Sequence, residues 1–371
     1  MKQRILVLLG TRPEAIKLFP VIRRLKAEQV GVTVCATAQH RQMLDQVLKL
    51  AKVVPDFDLN VMTPNQTLDN LSARLLYDIG AVMERVKPTR VVVQGDTATA
   101  MTGALAAYYH RIPVSHVEAG LRSGDIYAPF PEEVNRKIVG SIADQHFAPT
   151  ERAARALLAE NVPQARIHVT GNTVVDALIL AKTMVEEDPW MARRWDDIKQ
   201  RHGNRRLILV TCHRRENFGG GVQNIVNALE TILNREDVAV VLPVHPNPNV
   251  RDIFSARFAN HPRVVLISPQ EYTDFVSLLS MAYLVLTDSG GVQEEAPTFG
   301  KPVLVMRETT ERPEGVEAGT ARLVGADYDR IVGETFRLLD DDATYAAMAR
   351  SHNPFGDGHA SERIVKVLLD A

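Results

Sequence analysis

The first candidates for chemistry are acidic side chains placed where apolar runs give way to loops. Asp96 stands in Gln94-Gly95-Asp96-Thr97 and Glu118 in His116-Val117-Glu118-Ala119-Gly120. Each follows a short apolar run of the kind that forms a strand buried on both faces. Neighbouring strands lie about 4.8 Å apart, so pairing of the two runs brings both carboxylates into one crevice at similar height. Their mutual repulsion then raises the apparent pKa of the pair, as acid–base work requires. Taken singly, Asp96 also reads as a helix N-cap and Glu118 as the ionic partner of Arg122. Glu132 and Glu133 follow Pro129-Phe130-Pro131, with Pro131 suited to a first helical turn. Acids there satisfy the helix dipole, which accounts for one of them and leaves a third acid near the same crevice.

Cations and glycines supply the complementary half, a seat for an anion. Thr11-x-x-Glu14 is a capping box with Pro13 inside the first turn. Capping does not explain Arg12 and Lys17, because cations oppose the macrodipole at a helix N-terminus unless an anion sits there. His213 lies between Cys212 and the pair Arg214-Arg215, and reads either as a surface histidine or as a group facing an anion. The most specific local signal is Asp288-Ser289-Gly290-Gly291-Val292-Gln293-Glu294-Glu295. A strand ends, two glycines let the backbone approach a ligand, and a helix begins with free N–H groups. Glu295, one turn further on, suits a vicinal diol such as a ribose. Arg312, in Thr309-Thr310-Glu311-Arg312-Pro313-Glu314, follows the next strand. A purely structural Gly-Gly turn is the alternative.

Such positions converge only if the elements between them form sheets with a common open end. Strands are predicted at 5–9, 32–37, 90–94, 113–117, 145–148 and 166–170, and a second series at 207–211, 238–244, 264–267, 283–287, 302–306 and 321–324. Longer helical patterns separate them, the signature of parallel sheets wrapped by helices. With 371 residues, the expectation is an α/β chain of two Rossmann-like, doubly wound domains, 1–170 and 171–353. Their ligand crevices, outside the carboxyl ends of the strands, face each other across a shared cleft. The polar segment 183–203, holding Trp190 and Trp195, has no strand pattern and lies just past the boundary. The tail 354–371 resumes as an amphipathic helix that packs back on one of the domains.

Composition removes whole classes of function. A net charge of −2 offers no basic surface for nucleic acid. The apolar run 5–9 is too short for a signal segment or a membrane span. Cys35 and Cys212 are the only cysteines, which excludes a disulfide framework and a Cys-rich zinc site and reads as a cytoplasmic protein. No Gly-x-Gly-x-x-Gly, Walker loop or His-Glu-x-x-His is present, which disfavours a dinucleotide redox enzyme, an NTPase and a metalloprotease.

Taken together, Gly10-Thr11-Arg12-Pro13-Glu14-Ala15-Ile16-Lys17, Ala38-Gln39-His40-Arg41-Gln42-Met43-Leu44-Asp45-Gln46, His116-Val117-Glu118-Ala119-Gly120-Leu121-Arg122, Pro131-Glu132-Glu133-Val134-Asn135-Arg136, 288–297 and 309–314 closely resemble the non-hydrolysing UDP-N-acetylglucosamine 2-epimerases. The resemblance runs in colinear order from Ile5 to about Ile364. It implies a GT-B-like pair of Rossmann-like domains, with the C-terminal helix crossing back to the first. The implied reaction is reversible interconversion of UDP-GlcNAc and UDP-ManNAc by elimination to 2-acetamidoglucal and re-addition of UDP, with no cofactor and no metal. By resemblance the acid–base groups are Asp96, Glu118 and Glu132, and His213 contacts the nucleotide phosphates. Arg12, Lys17, Gln270, Phe275, Ser289, Gly290, Gly291, Glu295 and Arg312 match nucleotide-binding positions. Gln39, Gln42, Arg214 and His245, with Glu132, match positions that hold a second UDP-GlcNAc as activator. A further activator position, basic in strongly regulated members, is Asn65 here. The family also implies a homodimer whose partner molecule is the UDP-sugar. The chain departs from common family forms at Cys212 and Phe355, neither of them a proposed catalytic group. Two other enzymes fit part of the pattern: a GT-B glycosyltransferase, which needs an acceptor and no proton abstraction at C2, and a hydrolysing 2-epimerase releasing ManNAc and UDP. A silent nucleotide-sugar binder leaves the three acids unexplained.

Overall fold

The computed structural model describes residues 3–37, 41–63 and 65–370. The chain divides into two compact units, Met1–Ala177 with Gly356–Ala371, and Leu178–Phe355. Each is built on one parallel sheet.

The first unit carries β1 (Arg4–Leu9), β2 (Gly31–Ala36), β3 (Phe57–Asp58), β4 (Arg90–Gln94), β5 (Val114–Val117), β6 (Gln145–Ala148) and β7 (Ile167–Val169), in spatial order β3-β2-β1-β4-β5-β6-β7. The second carries β8 (Arg206–Thr211), β9 (Val238–Pro243), β10 (Val264–Ile267), β11 (Leu284–Thr287), β12 (Val303–Val305) and β13 (Ala321–Leu323), in order β10-β9-β8-β11-β12-β13. Both orders reverse after the first strand, between β1 and β4 and between β8 and β11, which is the topological switch point of a doubly wound sheet. The α/β class expected from the sequence, with two Rossmann-like sheets, is the fold observed.

Continuous apolar runs form these strands because both faces are covered. In β8 the alternation is visible residue by residue. Ile208 and Val210 pack with Val222, Val226 and Leu229 of the helix Gly220–Ile232 on one face, and Leu207 and Leu209 pack with Leu278 and Leu279 on the other. In the first unit Leu6, Leu8, Val91 and Val93 pack with Leu75, Ile79 and Ala104 from two helices.

All twelve predicted strands form, with ends shifted by a residue or two. A thirteenth, β3, escaped prediction because two residues carry no periodicity. The segment 183–203 is helical over Pro189–Ala192 and Asp196–His202, and Trp195 enters the second unit's core while Trp190 stays exposed. The C-terminal helix Ala360–Leu369 lies in the first unit, where Asp176 accepts from the amides of Ala360 at 3.2 Å and Ser361 at 2.7 Å. No helix of the described residues is long and apolar enough to cross a membrane.

Candidate functional site

In the first unit the groups of interest lie beyond the carboxyl ends of β1, β4, β5 and β7. β4 and β5 pair with Gln94 opposite Val117, so the turns carrying Asp96 and Glu118 emerge side by side. Glu118 is buried and adopts φ +64°, a left-handed conformation that an acidic side chain keeps only when its surroundings hold it there. Its Oε1 pairs with Lys17 Nζ and accepts from Asn172 Nδ2 at 3.0 Å, while Oε2 accepts from Gln94 Nε2. Asp96 is more open. Arg136 reaches its Oδ2 through Nε at 2.8 Å and Nη2 at 2.6 Å, and Asn135 Nδ2 donates to its backbone carbonyl at 2.8 Å.

These contacts revise the expectations for the pair. The carboxylates do not face each other unbalanced; each has a cation beside it, Lys17 for Glu118 and Arg136, shared with Glu133, for Asp96. Thr97, and not Asp96, caps the next helix, its hydroxyl accepting from Ala100 N at 3.0 Å. Arg122 pairs with Glu160 at 2.6 Å and leaves Glu118 to Lys17. Lys17, expected on the nucleotide, sits on the carboxylate.

The two glutamates after Pro131 separate cleanly. The helix Glu132–Ile142 starts at Glu132, with Pro131 just before it. Glu133 is fully buried, and its carboxylate accepts from the amides of Ser123 at 3.0 Å and Gly124 at 3.2 Å and from Arg136 Nη1 at 3.0 Å. Burial works against its charge, yet those amides and Arg136 outweigh it and hold the group below the usual carboxylate range. Glu133 therefore pins the 119–131 loop, while its neighbour Glu132 is half-buried.

The turn after β1 is built as the sequence predicts. Thr11 and Glu14 form the capping box, and Glu14 also accepts from Gly10 N at 3.0 Å, Thr11 N at 2.7 Å and Thr97 Oγ1 at 2.8 Å. A Cβ on Gly10 would stand 2.3 Å from Thr99 Oγ1 and 2.4 Å from Thr37 Oγ1, so only glycine lets this loop pass between them. Arg12 opens the helix Arg12–Ala27 and Lys17 follows within it.

In the second unit the carboxyl ends of β8 to β12 gather the remaining candidates. Asp288, fully buried, organises them: Oδ1 lies 2.8 Å from His213 Nδ1, and Oδ2 accepts from the amides of His213 at 2.9 Å and Arg214 at 2.8 Å and from Asn217 Nδ2 at 3.2 Å. Burial opposes the charge of Asp288, but His213 and the two amides outweigh it and hold the group below its usual range. Nδ1 is thus the ring nitrogen of His213 that faces Asp288. Burial, with Asp288 beside it, pushes the Cys212 thiol far up, which leaves it inert.

His245 stacks obliquely near His213, ring centroids 6.2 Å apart, and Arg214 Nη2 comes within 3.8 Å of where a Cβ on Gly290 would be. Ser289 precedes the helix Gly290–Glu295, which contains Gly290, Gly291 and Glu295. Gln293 ties the start of that helix to the next loop, accepting from Thr310 Oγ1 at 2.6 Å and donating to Ser289 O at 3.2 Å. Arg312 is paired with buried Glu294. Gln270 bonds its own loop at Ser268 O, and Phe275 leans half-buried on the core. Asn65 is exposed; Gln39 and the side chain of Gln42 lie outside the described residues. Among the described residues no group of three or more His, Cys, Asp or Glu is arranged for a metal ion.

Sequence reasoning missed Gln94, Asn172, Arg136 and the organising role of Asp288. All but Arg136 stand at or just past a strand's carboxyl end, where a polar residue closing an apolar run is the available signal.

Residues 23–369 match the family model described as UDP-N-acetylglucosamine 2-epimerase. The chain is 51% identical over 368 residues to the UDP-N-acetylglucosamine 2-epimerase of Escherichia coli K12, covering 98% of each chain. It is 51% identical over 371 residues to the probable UDP-N-acetylglucosamine 2-epimerase of Ralstonia solanacearum, covering 99% of this chain and 98% of that one. Among solved structures, the UDP-GlcNAc 2-epimerase of Neisseria meningitidis, crystallised with UDP-GlcNAc, superposes with a TM-score of 0.90 at 44% identity over the full length of both chains. By fold, by the residues at its strand ends and by full-length similarity, the chain belongs to the UDP-N-acetylglucosamine 2-epimerase family.

Proposed function

We propose that the chain interconverts UDP-GlcNAc and UDP-ManNAc by elimination of UDP and its re-addition. The observation that carries this reading is the division of groups between the two sheets. One ends in carboxylates set in a hydrogen-bonded frame, Asp96 and Glu118 with Glu132 following. The other ends in a histidine oriented by a buried aspartate, backed by Arg214 and the Ser289–Gly291 turn.

Elimination begins when a carboxylate takes the proton from C2. The C–H electron pair becomes the C1=C2 bond of 2-acetamidoglucal, and the C1–O bond breaks with its electrons going to the β-phosphate of UDP. Re-addition reverses these events with the proton delivered to the opposite face, so two groups must exchange protons across the ring. That requirement explains a set of three acids better than a single base. Hydrogen leaves C2 as a proton and its electron pair stays in the C1=C2 bond, so this route moves no hydride. The departing pyrophosphate needs cations and N–H donors, supplied by His213, Arg12, Lys17, Arg312 and the Ser289, Gly290 and Gly291 backbone. Gln270, Phe275 and Glu295 complete the nucleotide site. Arg214 and His245, with Gln39, Gln42 and Glu132, take a second UDP-GlcNAc as activator, held less firmly because Asn65 brings no charge.

Proton NMR of UDP-GlcNAc incubated with the chain tests the reading. UDP-ManNAc should accumulate to equilibrium without free ManNAc. Stoichiometric ManNAc and UDP would replace it with the hydrolysing reaction, and an unchanged sugar would overturn it.

A further inference from the structure

Both peptides of Gly95 are held by the neighbouring strand, the one before it through its N–H and the one joining it to Asp96 through its carbonyl. Gly95 N donates to Val117 O at 3.0 Å, and Gly95 O lies 2.8 Å from His116 Nε2. Register produces this arrangement: His116 lies opposite Val93, and Val117 opposite Gln94, so the buried imidazole reaches the first residue beyond β4. In the reverse direction Gln94 reaches across to Glu118. The two acid-bearing turns are thus cross-linked twice, once from each strand. Gly95 has φ +70°, a residue with little preference of its own, next to a peptide free to rotate unless its carbonyl is held.

We propose that His116 is a positioning residue for the epimerisation, its neutral ring donating from Nε2 to the Gly95 carbonyl and so fixing the direction of Asp96 relative to Glu118. The proposal rests on the assignment of those two carboxylates as acid–base groups. Only a ring protonated at Nε2 bonds a carbonyl acceptor, and Nδ1 is buried with no partner. The neutral Nε2–H tautomer satisfies the one acceptor within reach, whereas a second proton at Nδ1 would be left unpaired in the interior. Burial, reinforced by His146 and Arg122 and only partly opposed by the Gly95 carbonyl and Glu118, pushes His116 down to about 3, so the donor does not change across the working pH range. Removing it leaves a buried carbonyl unsatisfied, and the peptide turns to find a partner. A displacement of about 1 Å in a catalytic group costs on the order of 10²-fold in rate.

His116→Phe keeps a ring and removes the donor; His116→Gln offers an amide N–H to the same carbonyl. Both should be assayed in D2O for kcat, KM, UDP affinity and the ratio of C2 deuteration to epimerisation, below each variant's melting transition. For His116→Phe, kcat should fall by roughly 10²-fold with UDP affinity unchanged and the deuteration ratio altered, and His116→Gln should recover most of the rate. A phenylalanine variant that melts earlier but keeps the wild-type rate and ratio would overturn the proposal, as would equal damage in both variants. Nitrogen-15 NMR of the unaltered chain needs no substitution: Nε2 should carry the proton and Nδ1 none between about pH 5 and 8, and a protonated Nδ1 would overturn the assignment. Wild-type protein that does not epimerise in the same assay would instead indict the functional reading, which the tautomer measurement does not depend on.

Discussion

At Glu118 three donors converge on two oxygens, Lys17 and Asn172 on one and Gln94 on the other. A carboxamide there removes the charge facing Lys17 and turns one acceptor into a donor aimed at other donors. Glu118→Gln should therefore lower kcat by about 10²-fold or more, the usual scale for an acid–base group, and Asp96→Asn and Glu132→Gln should do likewise. Turnover and UDP affinity measured together check this, because UDP should still bind all three variants. Glu14 makes a different prediction. Burial raises its carboxyl from 4.5 to about 7, so between those values the folded chain holds a proton that the unfolded chain releases. Stability from this group is greatest below about pH 4.5, declines as pH rises toward 7 and is level above it, a span on the order of 3 kcal/mol. Glu14→Gln should flatten that part of a melting-temperature profile; an unaltered slope between pH 5 and 7 would assign it to another group. The places of Asp96 and Glu118 just past strand ends were legible in the sequence. Their partners were not, because Lys17, Arg136 and Asn172 come from distant segments that only the fold brings near.

Close approach between elements decides where glycine is required. Gly120, with φ +90°, follows β5, and a Cβ there would stand 2.2 Å from the backbone carbonyl of Ala153. That oxygen belongs to the helix Glu151–Ala159 and cannot step aside as a side chain tip does. Gly120→Ala should cost about 3 kcal/mol, the upper end of overpacking plus the strain of positive φ, measured by urea unfolding of the first unit. A loss under roughly 1 kcal/mol would show that the helix moves freely. Twelve strands were readable because burial on both faces demands unbroken apolar runs such as Ile5 to Leu9. β3 was invisible for want of length. The loop from Ala119 to Pro131 was legible only as a proline-rich approach to a helix, since its anchor is the fully buried carboxylate of Glu133 beneath it.

Across the whole molecule one strand order is used twice, and the proposal gives the two copies different tasks. Binding should follow the cations and the residue that holds them: His213→Ala, Arg12→Ala or Asp288→Asn should weaken UDP as well as slow turnover, whereas carboxamide changes at Asp96 and Glu118 should touch turnover alone. Equilibrium titration with UDP separates the two classes. The activator assignment predicts that UDP-ManNAc supplied alone reacts slowly and that a trace of UDP-GlcNAc accelerates it. Full initial velocity on UDP-ManNAc free of UDP-GlcNAc would remove the activator from the account. One measurement reaches the central claim, that carboxylates of the first unit move a proton at C2 while UDP departs. UDP-GlcNAc incubated with the chain in D2O should return UDP-ManNAc and recovered UDP-GlcNAc both deuterated at C2, and Glu118→Gln should suppress the label and the epimerisation together. Epimerised sugar that keeps its original hydrogen at C2 would contradict the elimination and every role assigned to the three acids.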